Sequence, residues 1–136
     1  MSDREMLSEM YARWLRMWNG ELDLVSELVA PECVIHQPPN DFRGADGILR
    51  MIEMGRAPFS EIVFRLEVEP IIEGDRLAAR WTSTGQYAGG MPGASVEPGT
   101  QVTFGGIDIW RVQDGRLVEY WVSSDGLHLM AQLSPE

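Results

Sequence analysis

The sequence predicts an α+β domain in which a strongly curved, cone-shaped antiparallel sheet wraps around three N-terminal helices. Two observations predict it. Apolar residues recur at three-to-four spacing up to about residue 56, and beyond residue 62 the period changes to two, with Gly-Asp and Asp-Gly turns between long strands. Helices first and strands afterwards form a layered domain rather than alternating βα units. The length suits one domain covering residues 1–136.

Ser2 with Glu5 three positions later is a capping box, and Leu7, Met10, Tyr11, Trp14 and Trp18 follow on one face, predicting a helix over residues 3 to 18 stopped by Asn19-Gly20. A second short helix is expected over residues 21 to 29, ahead of Pro31. Residues 33 to 37 read as a short strand running into Pro38-Pro39, and residues 45 to 56 as the third helix. Ile62, Phe64, Leu66 and Val68 alternate with charged residues, Gly74-Asp75 is a turn, and a second long strand spans residues 76 to 87. A Gly- and Pro-rich loop over residues 88 to 99 separates it from strands over 100 to 112 and 116 to 123, joined by Asp114-Gly115. The tail after Asp125 is long enough for one or two helical turns.

Composition removes several chemistries. The chain holds eleven arginines, no lysine and 21 acidic residues, for a net charge of −10. Schiff-base lysines, pyridoxal phosphate aldimines and P-loop lysines are therefore excluded. An acidic chain lacks the basic face that phosphates require, so neither nucleic acid nor a membrane surface is an expected partner. The lone Cys33 excludes an internal disulfide, and neither a signal-peptide h-region nor a run of about 18 apolar residues is present, which predicts a soluble cytoplasmic protein. Two distant histidines and one cysteine offer no metal-ligand spacing, so no metal or other cofactor is expected.

Few groups could carry chemistry. His36, at the end of a short strand, is a candidate base or hydrogen-bond donor; the alternative is a satisfied core histidine. Asp108 stands among Ile107, Ile109 and Trp110, where a carboxylate is costly unless paired or protonated; an ion pair with Arg80 or an outward position would account for it equally. Asp125 is a candidate acid–base group or a helix N-cap. Strand parity places Trp121 with Asp125, Asp108 with Trp110, and Arg80 with Thr82 and Thr84 as candidate cavity lining.

The stretch from Thr84 to Gly89, with Met91-Pro92, Pro98-Gly99-Thr100, Val102 to Arg111, Asp114 to Trp121, Asp125 and Gln132-Leu133, resembles the SnoaL-like polyketide or ester cyclases. Arg43-Gly44, followed by Gly47-Ile48, is similar to that family's third-helix opening. The family belongs to the nuclear transport factor 2-like superfamily. The resemblance implies a cofactor-independent cyclase or isomerase that closes a ring in a hydrophobic, polyketide-like molecule by an aldol-type acid–base reaction. It places the acid–base aspartate at Asp125. A more distant likeness to ketosteroid isomerase places a base at His36 and a carboxyl donor at Asp108. Likeness to limonene epoxide hydrolase matches Arg80 and Asp125 to two of three polar groups, with Thr82 in place of the third. Tyr87, Met91, Trp110 and Trp121, with Arg80 and Thr82, are expected to contact substrate. The chain departs from the family at Glu119-Tyr120-Trp121-Val122, where Glu-His-Trp-Asp is usual, and in its longer loop between Gly89 and Gly99. The resemblance also implies a homodimer packed through the outer sheet face, where Leu77, Ala79 and Trp81, opposite Arg80, would be covered. Epoxide opening, by water or by an internal hydroxyl to form a cyclic ether, is one alternative activity. A non-catalytic binding or assembly module is the alternative of another class.

Overall fold

The computed structural model describes residues 2–135. Helix α1 (Asp3–Trp18) starts at Ser2, whose hydroxyl accepts from the Glu5 amide at 3.1 Å. A 3₁₀ turn (Leu22–Leu24) leads into the one-turn helix α2 (Val25–Leu28), so the second expected helix divides in two. Strand β1 (Val29–Gln37) turns into β2 (Asn40–Arg43), and α3 (Gly44–Arg56) follows. Four long strands come next: β3 (Phe59–Glu73), β4 (Arg76–Tyr87), β5 (Gln101–Gln113) and β6 (Arg116–Ser124). Helix α4 (Gly126–Leu133) ends the fold.

The sheet order is β2-β1-β6-β5-β4-β3, and the sheet does not close. Strand β1 runs parallel to β6, so the sheet is mixed rather than wholly antiparallel, and β1 is longer than its apolar core of residues 33 to 37 suggested. Its extra residues include Pro31, in the irregular stretch between Val29 and Val34 where pairing shifts register, as a residue without an amide hydrogen requires. Strand β3 carries three register shifts against β4, and bulges of this kind bend a strand and increase its twist. The β5–β6 turn has positive φ at both Asp114 (52°) and Gly115 (74°), as a tight hairpin turn demands.

Two apolar clusters fill the inner face. One packs Leu7, Met10, Tyr11 and Trp14 of α1 with Ile48 and Ile52 of α3 against Trp110 and Tyr120. The other joins Phe59, Phe64, Trp81 and Phe104 under Leu129 and Leu133 of α4. Side-chain amides fasten helices to strands where backbone partners run out. Asn19 pairs with both the amide and the carbonyl of Phe64 on edge strand β3, at 2.8 and 2.9 Å. Gln132 does the same at Thr103, beyond the last β6 residue paired with β5, at 2.9 and 2.7 Å.

Leu77, Ala79 and Trp81 are buried on the inner face, which corrects the expectation that they form an exposed outer patch. Exposed apolar area on the sheet comes instead from Val68, Ile71, Ile107 and Ile109. A pairing of two copies through the outer face would bury these residues. Among the described residues, no helix is long and apolar enough to cross a membrane.

Gly106 sits under the Trp81 indole. A Cβ there would strike that ring and stand 2.6 Å from the Ser123 carbonyl oxygen. Gly106→Ala is expected to destabilise the fold by roughly 1–3 kcal/mol through overpacking. Urea denaturation would show this as a lower midpoint at unchanged slope.

Candidate functional site

Between the two clusters lies a cavity of about 250 Å³. A cavity of about 150 Å³ holds a benzene ring, so this one has room for a second fused ring. Its walls are Trp14 and Trp18 from α1, Met51 and Met54 from α3, Phe64 and Trp81 from β3 and β4, and Phe104 from β5. Gln37 and Ser124 add polar groups at strand ends. Asp108 and Tyr120 are the titratable groups among the described lining residues, and no arginine or histidine lines the cavity.

Asp108 reaches the cavity because β5 alternates: Phe104, Asp108, Trp110 and Val112 point inward, and Ile107, Ile109 and Gln113 point out. The carboxyl is 2 % exposed. Its Oδ1 accepts from the Tyr120 hydroxyl and its Oδ2 from the Tyr11 hydroxyl, each at 2.7 Å. Burial penalises the charged form and pushes Asp108 up to about 6; the two tyrosine hydroxyls, then the indole N–H groups of Trp81 and Trp14, oppose that rise. Burial and the adjacent carboxylate push both phenols above their ordinary range, so each remains a donor. At neutral pH the site is a desolvated carboxylate held by two neutral phenols.

The remaining expected residues fall elsewhere. His36 follows the inward Ile35 and lies on the outer face, stacked on Trp121 at 5.2 Å with Nε2 2.9 Å from Glu119 Oε2. Arg111 Nε donates to the other Glu119 oxygen at 3.0 Å. The hydrogen bond from His36, followed by that from Arg111, holds Glu119 below the usual carboxylate range. Arg80 also points outward, donating to Glu67 at 3.1 Å, so it neither pairs with Asp108 nor enters the cavity. Thr82 shares that outer face of β4. Two of the three epoxide-opening positions, Arg80 and Thr82, are thus on the wrong side of the sheet. Asp125 is exposed and caps α4, its Oδ1 accepting from the His128 amide at 3.0 Å, one residue beyond the cavity-lining Ser124.

Trp110 does face inward but is enclosed by Tyr11 and Trp14, at ring separations of 5.3 and 5.2 Å, behind the cavity wall. Tyr87 is buried in the second cluster, its hydroxyl accepting from the Met91 amide at 2.9 Å, and Met91 packs against the same cluster. Of the nine expected contacts, only Asp108 lines the cavity. Sequence reasoning misses Tyr120 in the lining and Tyr11 behind it, although Tyr120 follows from the alternation of β6, which turns Tyr120 inward and Trp121 outward. Among the described residues, no three His, Cys, Asp or Glu side chains gather as metal ligands would.

An open sheet backed by helices, enclosing an aromatic cavity with one buried carboxyl, is a small-molecule pocket of the nuclear transport factor 2-like kind. The model of the SnoaL-like polyketide cyclase family matches residues 8–133, and the chain belongs to that family. It is similar to the structure of TsrD from Streptomyces laurentii, at 25% identity over 98% of both chains with a TM-score of 0.81. It is also similar to IdmH of Streptomyces antibioticus, provisionally assigned as a polyketide cyclase, at 28% identity over 93% of this chain and 96% of that one, TM-score 0.80. AclR of Streptomyces galilaeus, provisionally assigned as a hydroxylase, matches at 26% identity over 100% of this chain and 85% of its own, TM-score 0.77. Comparison with curated proteins finds no match.

The Asp108 carboxyl is expected to titrate with a midpoint near 6, followed by carbon NMR of protein labelled at the aspartate carboxyls. The sign for stability follows. The folded chain holds this proton more tightly than the unfolded one, so the cost of burying Asp108 is full above pH 6 and is relieved as pH falls from about 6 towards 4.

Proposed function

We propose that the protein is a cofactor-independent cyclase or isomerase that closes a ring in a hydrophobic, polyketide-like molecule by acid–base catalysis. The observation that carries this is the buried Asp108 carboxyl opening, with the Tyr120 hydroxyl beside it, into an aromatic cavity of two-ring size. Family membership supports a cyclase role. In this reading the flat substrate lies between Trp14, Trp18, Phe64 and Trp81, with an acidic C–H against Asp108. The carboxylate takes the proton from the carbon next to a carbonyl, giving an enolate and a protonated Asp108. As Asp108 takes up the proton, the Tyr120 hydroxyl turns its one hydrogen from Oδ1 to the enolate oxygen. The enolate carbon then attacks a second carbonyl of the same molecule, forming one C–C bond and an alkoxide, and Asp108 returns its proton to that alkoxide. Substrate and product are isomers, and no external electron donor or acceptor is needed.

A side chain placed to move a proton contributes roughly 10²–10⁴-fold, and a base titrating near 6 is ionised at neutral pH while still returning its proton readily. In this reading the buried Asp108, rather than the exposed helix cap Asp125, takes the leading acid–base role. The probe is 2-tetralone, a bicyclic ketone with exchangeable protons beside its carbonyl, incubated in D₂O and followed by proton NMR. Asp108→Asn is expected to lower catalysed deuterium exchange by roughly 10²-fold or more. Asp125→Asn keeps a capping side chain and is expected to retain exchange within about threefold. Full exchange by Asp108→Asn, with loss in Asp125→Asn, would return the role to Asp125.

A further inference from the structure

We propose that Tyr11 is a positioning residue for Asp108, anchoring Oδ2 from helix α1 so that the Oδ1 edge, with Tyr120, is the one presented to the cavity. This rests on the assignment of Asp108 as the proton-transfer group. Three observations carry it. The two tyrosines bind opposite oxygens of one carboxyl at the same 2.7 Å, but only Tyr120 lines the cavity. Tyr11 is fully buried behind the wall, its ring against Trp110 at 5.3 Å, so its hydroxyl can act on a substrate only through Asp108. The bond also spans the fold: Tyr11 and Asp108 lie 97 residues apart and connect the first helix to β5, which fixes the carboxyl plane relative to the aromatic wall of α1.

A carboxylate with one oxygen saturated by an immobile donor has a defined reactive edge. Each donor also favours the ionised form, in opposition to burial. The groups facing Asp108 are Tyr11 and the Trp14 indole from α1, Trp81 from β4 and Tyr120 from β6. Cys33 of β1, the other titratable group close to Tyr120, is a buried thiol pushed up to about 12 and is neutral across the working range.

Tyr11→Phe keeps the ring and removes the hydroxyl alone. Two quantities are read on the whole chain: the carbon NMR titration of Asp108, and the pH dependence of deuterium exchange into 2-tetralone. Loss of one donor is expected to raise the titration midpoint by about one pH unit. Exchange should then fall roughly fivefold at pH 6 but less than about threefold at pH 9, since the acid limb moves to higher pH. Incorporation of 3-fluorotyrosine at position 11, a stronger donor of the same shape, should move the midpoint down. A midpoint unmoved by both changes, or exchange falling equally at every pH in Tyr11→Phe, overturns the proposal. If Asp108→Asn keeps full exchange while the Tyr11 changes still move the midpoint, it is the assignment of Asp108 that fails, and the two failures are thereby told apart.

Discussion

The buried carboxyl of Asp108 is the constraint around which the rest of the molecule is arranged. A carboxylate so far withdrawn from water is tolerable only when its oxygens are satisfied, and here the donors come from α1 and β6. Those two hydrogen bonds fix how α1 lies across the sheet, and the position of α1 in turn sets where Trp14 and Trp18 stand as cavity wall. Aromatic packing continues the same order: Trp14 meets Trp110 and Tyr120 edge-on at 5.2 and 5.0 Å, so the ring cluster and the polar triad share members. Loss of the carboxyl leaves two buried hydroxyls without their acceptor, which is why the group is at once a chemical asset and a structural necessity.

Both faces of the sheet carry charge, in different ways. Outside, His36, Glu119 and Arg111 form a half-exposed network with Trp121 as its base, and Arg80 pairs with Glu67. Such pairs sit in high dielectric and contribute little to stability. Inside, among the described residues, Asp108 is the one buried charge, desolvated and held by neutral donors. The arginines that compensate part of the chain's acidity do not reach the cavity lining, so any negative charge developing on a bound molecule is met by hydroxyl and indole dipoles rather than by a cation.

Much of the architecture was legible from period and punctuation. The capping box at Ser2, the alternation from Ile62 onwards and the Gly-Asp and Asp-Gly turns locate α1, β3, β4, β5 and β6 to within a few residues. The short pieces were harder: β2 has no apolar alternation to announce it, and β1 extends through Pro31, which local rules place outside a strand. For the site, parity worked on β5, where Asp108 and Trp110 do share the inner face. On β4 the polar residues that parity groups together lie on the outer face, as does Trp121 on β6. The inner face of β4 is the apolar one, Leu77, Ala79, Trp81 and Tyr87, and an aromatic cavity is walled by such residues, not by Arg80 and Thr82. His36 misled for a related reason: Ile35, its neighbour, is the residue at 0 % exposure. Tyr11 reads in the sequence as one more apolar position of a helix. Its hydroxyl gains significance only from a partner 97 residues away, a contact no local pattern encodes.

The amide of Gln132 takes the place of a strand residue beside Thr103, where β6 has already ended. Helix α4 continues from β6 through Asp125, whose amide donates to the Gly105 carbonyl at 2.9 Å, and meets β5 again through the Gln132 side chain, with Leu129 and Leu133 packed in the cluster that holds Trp81 and Phe104. The Leu133 carbonyl accepts from the amides of Ser95 and Val96, at 2.8 and 3.3 Å, so the same helix that borders β5 also ties the loop between β4 and β5 to the sheet, and loop and C-terminal segment hold one another in place.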